Sequence, residues 1–234
     1  MAGREWINSR PAFSAKASLM LPSWVSSCEI DGQVVFLDVL ANRYSRLEKE
    51  AASALGRGDV DSLQPSLRRL IEDRHWLNSN AEGARSSCCA ITRPAREHSA
   101  EFDMRSPSGR QIASAFRSLA SARFTIALRG FDELLWWVQR NNMIAQTEGP
   151  PASNRSGLIS AFEYVERFAI RRDRCLLRSI GLQHLLAQNG YESTLVFGVR
   201  LHPFEAHCWL QDDDLILNDT IEMVGPFEPI RAVR

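Results

Sequence analysis

The chain has 234 residues, of which 44% are hydrophobic and 24% charged, with zero formal net charge. That length suits one large domain or two small ones, and either can bury a stable core. A chain without a basic excess gives no electrostatic reason to expect nucleic acid as a partner. Its apolar stretches are shorter than the roughly 18 residues of a membrane span, so we expect none.

The cysteines are five, an odd number, at positions 28, 88, 89, 175 and 208. No pair has the C-x-x-C spacing of a zinc or redox site, and adjacent Cys88 and Cys89 are poorly placed to bridge each other. The N-terminal residues also lack the apolar core of an export signal. This pattern is typical of a reducing compartment, so we expect a cytoplasmic protein.

The first third predicts strands followed by helices. Strands 25–30 and 33–38 flank the turn pair Asp31-Gly32, a strong hairpin signal. A short strand at 43–47 is followed by a helix at 48–55. Leucines at 63, 67 and 70, with Ile71, then recur at helical spacing on a helix that runs to about Trp76.

The middle of the chain predicts a linker and then helices. Residues 78–109 are polar and interrupted by glycine and proline, which is typical of a linker. Helices are expected at 111–128, 131–140 and 158–170. The pair Trp136-Trp137 could line a peptide groove, although tryptophans beside leucines more often belong to a core.

The last quarter predicts one helix and three strands. Residues 171–188 form an amphipathic helix that Asn189-Gly190 would end. An apolar, β-branched stretch at 193–199 predicts a central strand. Two more strands, at 206–211 and 215–219, flank a run of three aspartates.

Cys175 lies near the start of the predicted helix at 171–188, where the helix dipole favours a thiolate. Arginines at 171, 172, 174 and 178 add positive potential. Both features would lower the pKa of a nucleophilic cysteine. The alternative is a structural cysteine on the apolar face of the helix, because free cysteines are among the most buried residues.

The hairpin around the aspartate run predicts a base for Cys175. If residues 212–214 form a loop, Gln211 pairs with Leu215, and His207 then lies directly opposite Asp219. Cross-strand partners have Cβ atoms roughly 5 Å apart, which suits an imidazole–carboxylate hydrogen bond. The carboxylate would fix the tautomer of the ring and leave its second nitrogen free to deprotonate a thiol.

Two alternatives concern the same hairpin. A shifted register would place Asn218 opposite His207, and cysteine peptidases also use asparagine to orient their histidine. A metal site is the other alternative, because His202, His207 and Cys208 lie close to the aspartates. Their spacing matches no zinc motif, and residues 207 and 208 point to opposite faces of a strand, so we expect no metal.

The order Cys175, His207, Asp219 resembles that of the transglutaminase-like, papain-type cysteine peptidases. The local sequence is similar to lasso peptide biosynthesis B proteins, and four segments carry that resemblance: CLLRSIGLQHLL from 175, FGVR from 197, PF at 203–204 and AHCW from 206. Cys208 stands where alanine is usual in that family.

The N-terminal part resembles the leader-recognition element that is fused to the peptidase in some of these proteins. Such elements are winged-helix-like modules that pair a leader peptide with an edge strand beside a helix. The resemblance implies that leader contacts are made by Tyr44, Ser45, Arg46, Leu70 and Arg74.

Together these features predict an α+β protein with a small winged-helix-like N-terminal module and a papain/transglutaminase-like C-terminal peptidase domain. The expected boundaries are 1–78 for leader recognition, 79–109 for the linker and 110–234 for the peptidase. The resemblance implies a leader peptidase of lasso peptide maturation, with Cys175 as nucleophile, His207 as base and Asp219 as its orienter. It also implies an asparagine-synthetase-like, ATP-using macrocyclase as a partner and an ATP dependence of cleavage, although the chain has no nucleotide motif.

Two other functions agree with the same residues. An acyl transferase of the transglutaminase-like class would pass the acyl group from Cys175 to an amine instead of water. A non-catalytic adaptor would bind peptides and keep its cysteine and histidine as relics.

Overall fold

The computed structural model describes residues 22–56, 65–73, 91–98, 107–147, 154–169 and 174–234. Within these ranges the chain is a mixed α+β protein, with a sheet near the N-terminus and a helix-and-sheet unit towards the C-terminus. The predicted fold class is confirmed. None of the helices in these ranges combines the length and the apolar composition of a membrane span.

The N-terminal sheet is an antiparallel meander in the order β1-β2-β3. Asp31 and Gly32 form its first turn with φ angles of 49° and 74°, as the Asp-Gly signal predicts. Two helices follow the strands. The bounds are β1, Val25–Ile30; β2, Gln33–Asp38; β3, Arg43–Glu48; α1, Lys49–Gly56; and α2, Pro65–Asp73.

The C-terminal sheet has the order β4-β7-β6-β5-β8, and β6 lies at its centre. Its strands are β4, Arg96–Glu97; β5, Thr194–Leu201; β6, Phe204–Asp212; β7, Leu215–Ile216; and β8, Glu228–Val233. Strand β4 comes from the segment that the sequence assigns to the linker. It joins the sheet because it pairs in parallel with β7, and Arg96 forms an ion pair with Asp214 at the turn.

The helices of this unit surround one central helix. They are α3, Gly109–Leu128; α4, Phe131–Thr147; α5, Arg155–Ala169; α6, Cys175–Ala187; and α7, Ile221–Val224. Helix α6 packs against α3, α4, α5 and β6. It is buried on nearly all sides, not amphipathic as the sequence predicts, because Ser179, Gly181 and Gln183 are buried with its leucines.

The polar side chains of this core are satisfied by one another. Gln183 donates to the carbonyl of Val138 and to Oδ1 of Asn142, and it accepts from Asn141. Asn142 in turn donates to the carbonyl of Ser193, just before β5. This network removes the cost of burying three amides and ties α4 to α6.

The N-terminal sheet packs against the C-terminal unit. Val35 and Leu37 of β2 belong to the same apolar cluster as Leu185, Leu210 and other buried residues of the C-terminal unit. Strand β1 packs along β8, where Arg231 donates to Oγ of Ser26 at 2.9 Å. The leader-recognition part and the peptidase part predicted from the sequence therefore share a core.

The predicted hairpin register is wrong. The turn between β6 and β7 places Asp212 opposite Leu215 and Gln211 opposite Ile216, one position away from the expected pairing. The paired residues end at Ile216. Beyond them the backbone N–H of Leu217 donates to the carbonyl of Leu210, and the side chain of Asn218 accepts from the N–H of Leu210. Asp219 therefore reaches His207 from a bent segment instead of a paired strand.

Gly181 allows α6 to approach α5 and α3, and its replacement tests this packing. A Cβ at this position would lie 2.9 Å from Cζ of the buried Phe162 and 3.3 Å from Cδ1 of Leu119. We expect Gly181→Ala to lower the free energy of unfolding by about 1–3 kcal/mol in urea titrations. Gly109→Ala is the control, because a Cβ there meets nothing within 4 Å. Equal stability of both variants would contradict the close approach.

Candidate active site

Cys175 is the first residue of α6 and lies half-buried above the central strand of the sheet. The residue before it, Arg174, gives the helix no side-chain cap. The first N–H groups of a helix have no intrahelical partner, so the dipole and its donors are directed towards the region of the thiol. Cys175 therefore lies at the start of a helix, as expected, although the helix begins four residues later than predicted.

The structure brings Cys175, His207 and Asp219 together. Nε2 of His207 lies 2.6 Å from Oδ2 of Asp219, and interaction with the His207 ring is one of the causes that lower the pKa of the Cys175 thiol. Because Nε2 is bonded to the carboxylate, Nδ1 is the ring nitrogen that is left for the sulfur. The side chains of His207 and Asp219 are only 16% and 9% exposed, so water screens this contact weakly.

The pKa of the Cys175 thiol is lowered to about 4. The largest cause is a hydrogen bond from the Cys208 thiol; burial opposes it, and His207 and the backbone N–H of Cys208 support it. Cys208 itself is buried, and its pKa is raised well above the usual value, mainly by its hydrogen bond with Cys175 and then by burial. Cys208 is therefore a neutral S–H donor beside the Cys175 thiolate.

The pKa of His207 is raised to about 9. Burial alone would lower it, but the hydrogen bonds with Asp219 and Cys175 outweigh burial. The pKa of Asp219 is lowered, because the His207 ring and the backbone N–H of Thr220 overcome the effect of burial. At neutral pH the site therefore holds a thiolate, an imidazolium and a carboxylate in a row.

The sequence predicts that arginines near Cys175 add positive potential at the thiol, but Arg178 makes other contacts. Arg178 does not face the thiol; it pairs with Glu166 of α5 and donates to the carbonyl of Asn218 at 3.0 Å. Arg174 provides the backbone that precedes α6, and residues 171 and 172 lie outside the described ranges. Among the described groups, the shift of the Cys175 pKa arises from Cys208 and His207.

Asn218, the alternative partner of His207, has another function in the structure. Its Oδ1 accepts from the backbone N–H of Leu210 at 2.8 Å, and its Nδ2 donates to Oγ of Ser179 at 2.9 Å. Ser179 completes the link by donating to the carbonyl of Cys208. Asn218 therefore fastens α6 to β6, and the next residue, Asp219, is left to face His207.

Aromatic rings enclose the imidazole of His207. The ring of Trp209 stacks on it with 6.2 Å between centroids, and Phe227 lies 5.2 Å away. Gly198 is opposite His207 on β5, and a Cβ there would come within 2.9 Å of both aromatic side chains. A glycine at this position is therefore needed for the rings to close around the histidine.

The two tryptophans differ in burial. Trp137 packs on the main core and lies 4.6 Å from the His184 ring. Trp136 is 55% exposed and has the guanidinium of Arg140 above its ring. Neither tryptophan contacts a residue of the cysteine site among the ring contacts of the described chain.

The residues implied as leader contacts are only partly described. Tyr44, Ser45 and Arg46 lie on β3, the outer strand of the N-terminal sheet. Leu70 lies in α2, and Arg74 lies outside the described residues. Among the residues described, Tyr44 is the one that turns towards the C-terminal unit, where its ring lies 5.7 Å from that of Phe204.

Among the described residues, no group of three or more histidine, cysteine or acidic side chains is placed to hold a metal ion. His202 is far along the β5–β6 connection, and Asp212 and Asp214 instead form ion pairs with Arg155 and Arg96. The aspartate run is thus occupied by structural ion pairs.

Comparison with known proteins identifies the C-terminal unit. Residues 118–232 match the family model of the transglutaminase-like superfamily. This part of the chain is a transglutaminase-like domain, whose members typically work through a catalytic cysteine, and it contains Cys175, His207 and Asp219. No curated protein and no solved structure matches the chain.

Several residues around the site are not indicated by the sequence patterns. Cys208 looks like a replacement of a small residue, and its hydrogen bond to Cys175 exists only because α6 crosses the centre of β6. Phe227 lies after the last strand that the sequence predicts, between the short helix α7 and strand β8. The CLLRS segment did contain a usable signal, because Arg178 and Ser179 stand one helical turn after Cys175 and point to the same loop.

Replacing Cys208 tests the origin of the low thiol pKa. Cys208→Ala removes the S–H donor, so the pKa of Cys175 should rise above about 4. The rate of iodoacetamide labelling, measured against pH, should then fall off at higher pH than in the wild type. Below both midpoints the rate should drop roughly 10-fold for each unit that the pKa moves. Cys28→Ala, at a buried thiol of β1, is the control. An unchanged midpoint in Cys208→Ala would refute the hydrogen bond.

The neighbours Asn218 and Asp219 should respond differently to substitution. Asp219→Asn removes the charged partner of His207, so the pKa of His207 should fall from about 9, and any turnover that uses His207 should drop by about 10²–10⁴-fold. Asn218→Ala should cost about 1–3 kcal/mol of stability through its lost hydrogen bonds and leave the His207 pKa high. Histidine titration by NMR and urea unfolding distinguish the two; the reverse pattern would make Asn218 the orienting residue.

Proposed function

We propose that this protein is a leader peptidase of lasso peptide maturation, which binds the leader of a precursor and cleaves it from the core peptide. The observation that carries the proposal is the row of Cys175, His207 and Asp219 within a transglutaminase-like domain. The resemblance of the sequence around Cys175 and His207 to lasso peptide biosynthesis B proteins supplies the substrate class.

Cleavage begins with attack by Cys175. Its Sγ, already a thiolate at neutral pH, adds to the scissile carbonyl carbon and forms a tetrahedral intermediate. His207, protonated at neutral pH, gives a proton to the leaving amine from Nδ1. The C–N bond breaks, the core peptide leaves with a free amine, and the leader remains bound to sulfur as a thioester.

Deacylation reverses the roles. His207, now neutral, takes a proton from water, and the hydroxide that forms attacks the thioester carbonyl. The C–S bond breaks, Cys175 leaves as a thiolate, and the leader departs with a carboxylate. Asp219 holds Nε2–H throughout, so the ring keeps Nδ1 towards sulfur and the imidazolium is stabilised.

The oxyanion of each tetrahedral intermediate needs hydrogen-bond donors. The backbone N–H of Cys175 is suited to this role, because it lies in the first turn of α6 and the helix has no side-chain cap. The helix dipole adds to the stabilisation, since the developing negative charge lies at its positive end.

Leader binding is proposed for the outer strand β3. An extended peptide can pair with an outer strand, and the helix that follows can contact its side chains. Tyr44, Ser45, Arg46, Leu70 and Arg74 are the proposed contacts. Because the N-terminal sheet shares a core with the peptidase unit, a bound leader would keep the scissile bond at a high local concentration near Cys175.

The direct test uses the cognate lasso precursor and the full chain. Cys175→Ala should bind the precursor with unchanged affinity but release no leader, because binding and bond cleavage use different groups. Isothermal titration measures binding, and mass spectrometry measures cleavage. Cys28→Ala should cleave normally, which controls for the loss of a cysteine. Leader release by Cys175→Ala at the wild-type rate would falsify the mechanism.

The same assay distinguishes the other functions. Transfer to an added amine, with a leader amide as the product, would identify an acyl transferase. Binding of the precursor without cleavage by the wild type, in the presence and absence of ATP and the macrocyclase, would identify an adaptor.

A further inference from the structure

Tyr44 connects the N-terminal sheet to the catalytic unit. It lies on β3, packs against the main apolar core and meets Phe204 edge-to-face, with 5.7 Å between ring centroids. Phe204 is the first residue of β6, the strand that also carries His207 and Cys208. A residue that the sequence assigns to leader recognition thus stands beside the strand that builds the cysteine site.

One face of β6 links Phe204 to the catalytic thiol. Side chains alternate along a strand, so Phe204, Ala206 and Cys208 share a face. Cys208 is buried against Cys175 at one end of this face, while Phe204 is 46% exposed at the other. Ala206 lies between them and is exposed. Four residues of strand span about 13 Å, so Phe204 and Cys208 are separated by about that distance along this face, with the small side chain of Ala206 between them.

We propose that Tyr44 and Phe204 form the wall, and Ala206 the floor, of a subsite that determines substrate specificity. Its ligand is an extended peptide with an apolar side chain two to four residues before the scissile bond. The assignment to the leader side rests on the proposed function, since β3 is the strand that would pair with the leader.

The chemistry of the subsite suits such a ligand. Two aromatic rings offer apolar surface to a leucine-sized side chain, and alanine in the floor leaves room for it. A separation of about 13 Å corresponds to about four extended residues, which would span the distance from the aromatic pair to the attacked carbonyl. The Tyr44 ring supplies apolar contact, so phenylalanine should replace it well.

Tetrapeptidyl chloromethyl ketones test the subsite without the precursor. In these probes Sγ of Cys175 attacks the chloromethyl carbon, a C–S bond forms and chloride leaves. One probe has leucine at its second to fourth residues counted from the ketone, and the other has alanine there. Iodoacetamide reports the intrinsic reactivity of the thiol, because it has no peptide to bind.

The wild type should react with the leucine probe about 10-fold or more faster than with the alanine probe. Tyr44→Ala and Ala206→Leu should each remove this preference by weakening probe binding, once each probe rate is divided by the iodoacetamide rate of the same variant. Tyr44→Phe and Ala206→Ser should keep it. Leu40→Ala, an exposed apolar site on the N-terminal sheet, should leave both rates unchanged. Ala206→Leu keeps the test valid if Tyr44→Ala unfolds, because Ala206 is exposed.

Equal rates of the wild type with both probes would overturn the subsite, as would a preference that survives Tyr44→Ala and Ala206→Leu. These outcomes are distinct from failure of the proposed function. A wild type that prefers the leucine probe but does not cleave the lasso precursor would keep the subsite and reject the leader-peptidase role.

Discussion

The attachment of α6 to β6 is the constraint on which the site depends. Asn218 binds the backbone of Leu210 and the hydroxyl of Ser179, and Ser179 binds the carbonyl of Cys208. Arg178 adds a bond to the Asn218 carbonyl and is itself paired with Glu166. These contacts hold the first turn of α6 over the strand that carries His207, and they place the next residue, Asp219, against the imidazole.

Charge at the site depends on this placement. A cysteine in the first turn of a helix gains some stabilisation as a thiolate, and the hydrogen bonds of Cys208 and His207 lower the Cys175 pKa. His207 stays protonated because Asp219 and the thiolate outweigh its burial. Each charged group is therefore stabilised by the next one, and displacement of Asp219 would affect all three.

The N-terminal sheet is more closely joined to the C-terminal unit than a tethered module would be. Its strand β2 contributes to the main core, β1 packs along β8, and Tyr44 contacts β6. Segment 91–98 also belongs to the C-terminal sheet, through β4 and the bond from Gln211 to the carbonyl of Thr92. Such contacts depend on partners far away in the chain, and local composition does not encode them.

Local signals by themselves determined the α+β class, the Asp31-Gly32 hairpin, the positions of most helices, and the choice of Cys175 and His207. These features depend on turn residues, on helical or strand periodicity, and on residue types that carry chemistry. Asp219 was chosen through a hairpin register that the structure does not have. Tertiary structure alone decided the hairpin register, the role of Asn218 as a fastener, and the hydrogen bond from Cys208. The reason is that strand pairing stops at Ile216, where the side chain of Asn218 finds partners in both α6 and β6 that are distant in sequence.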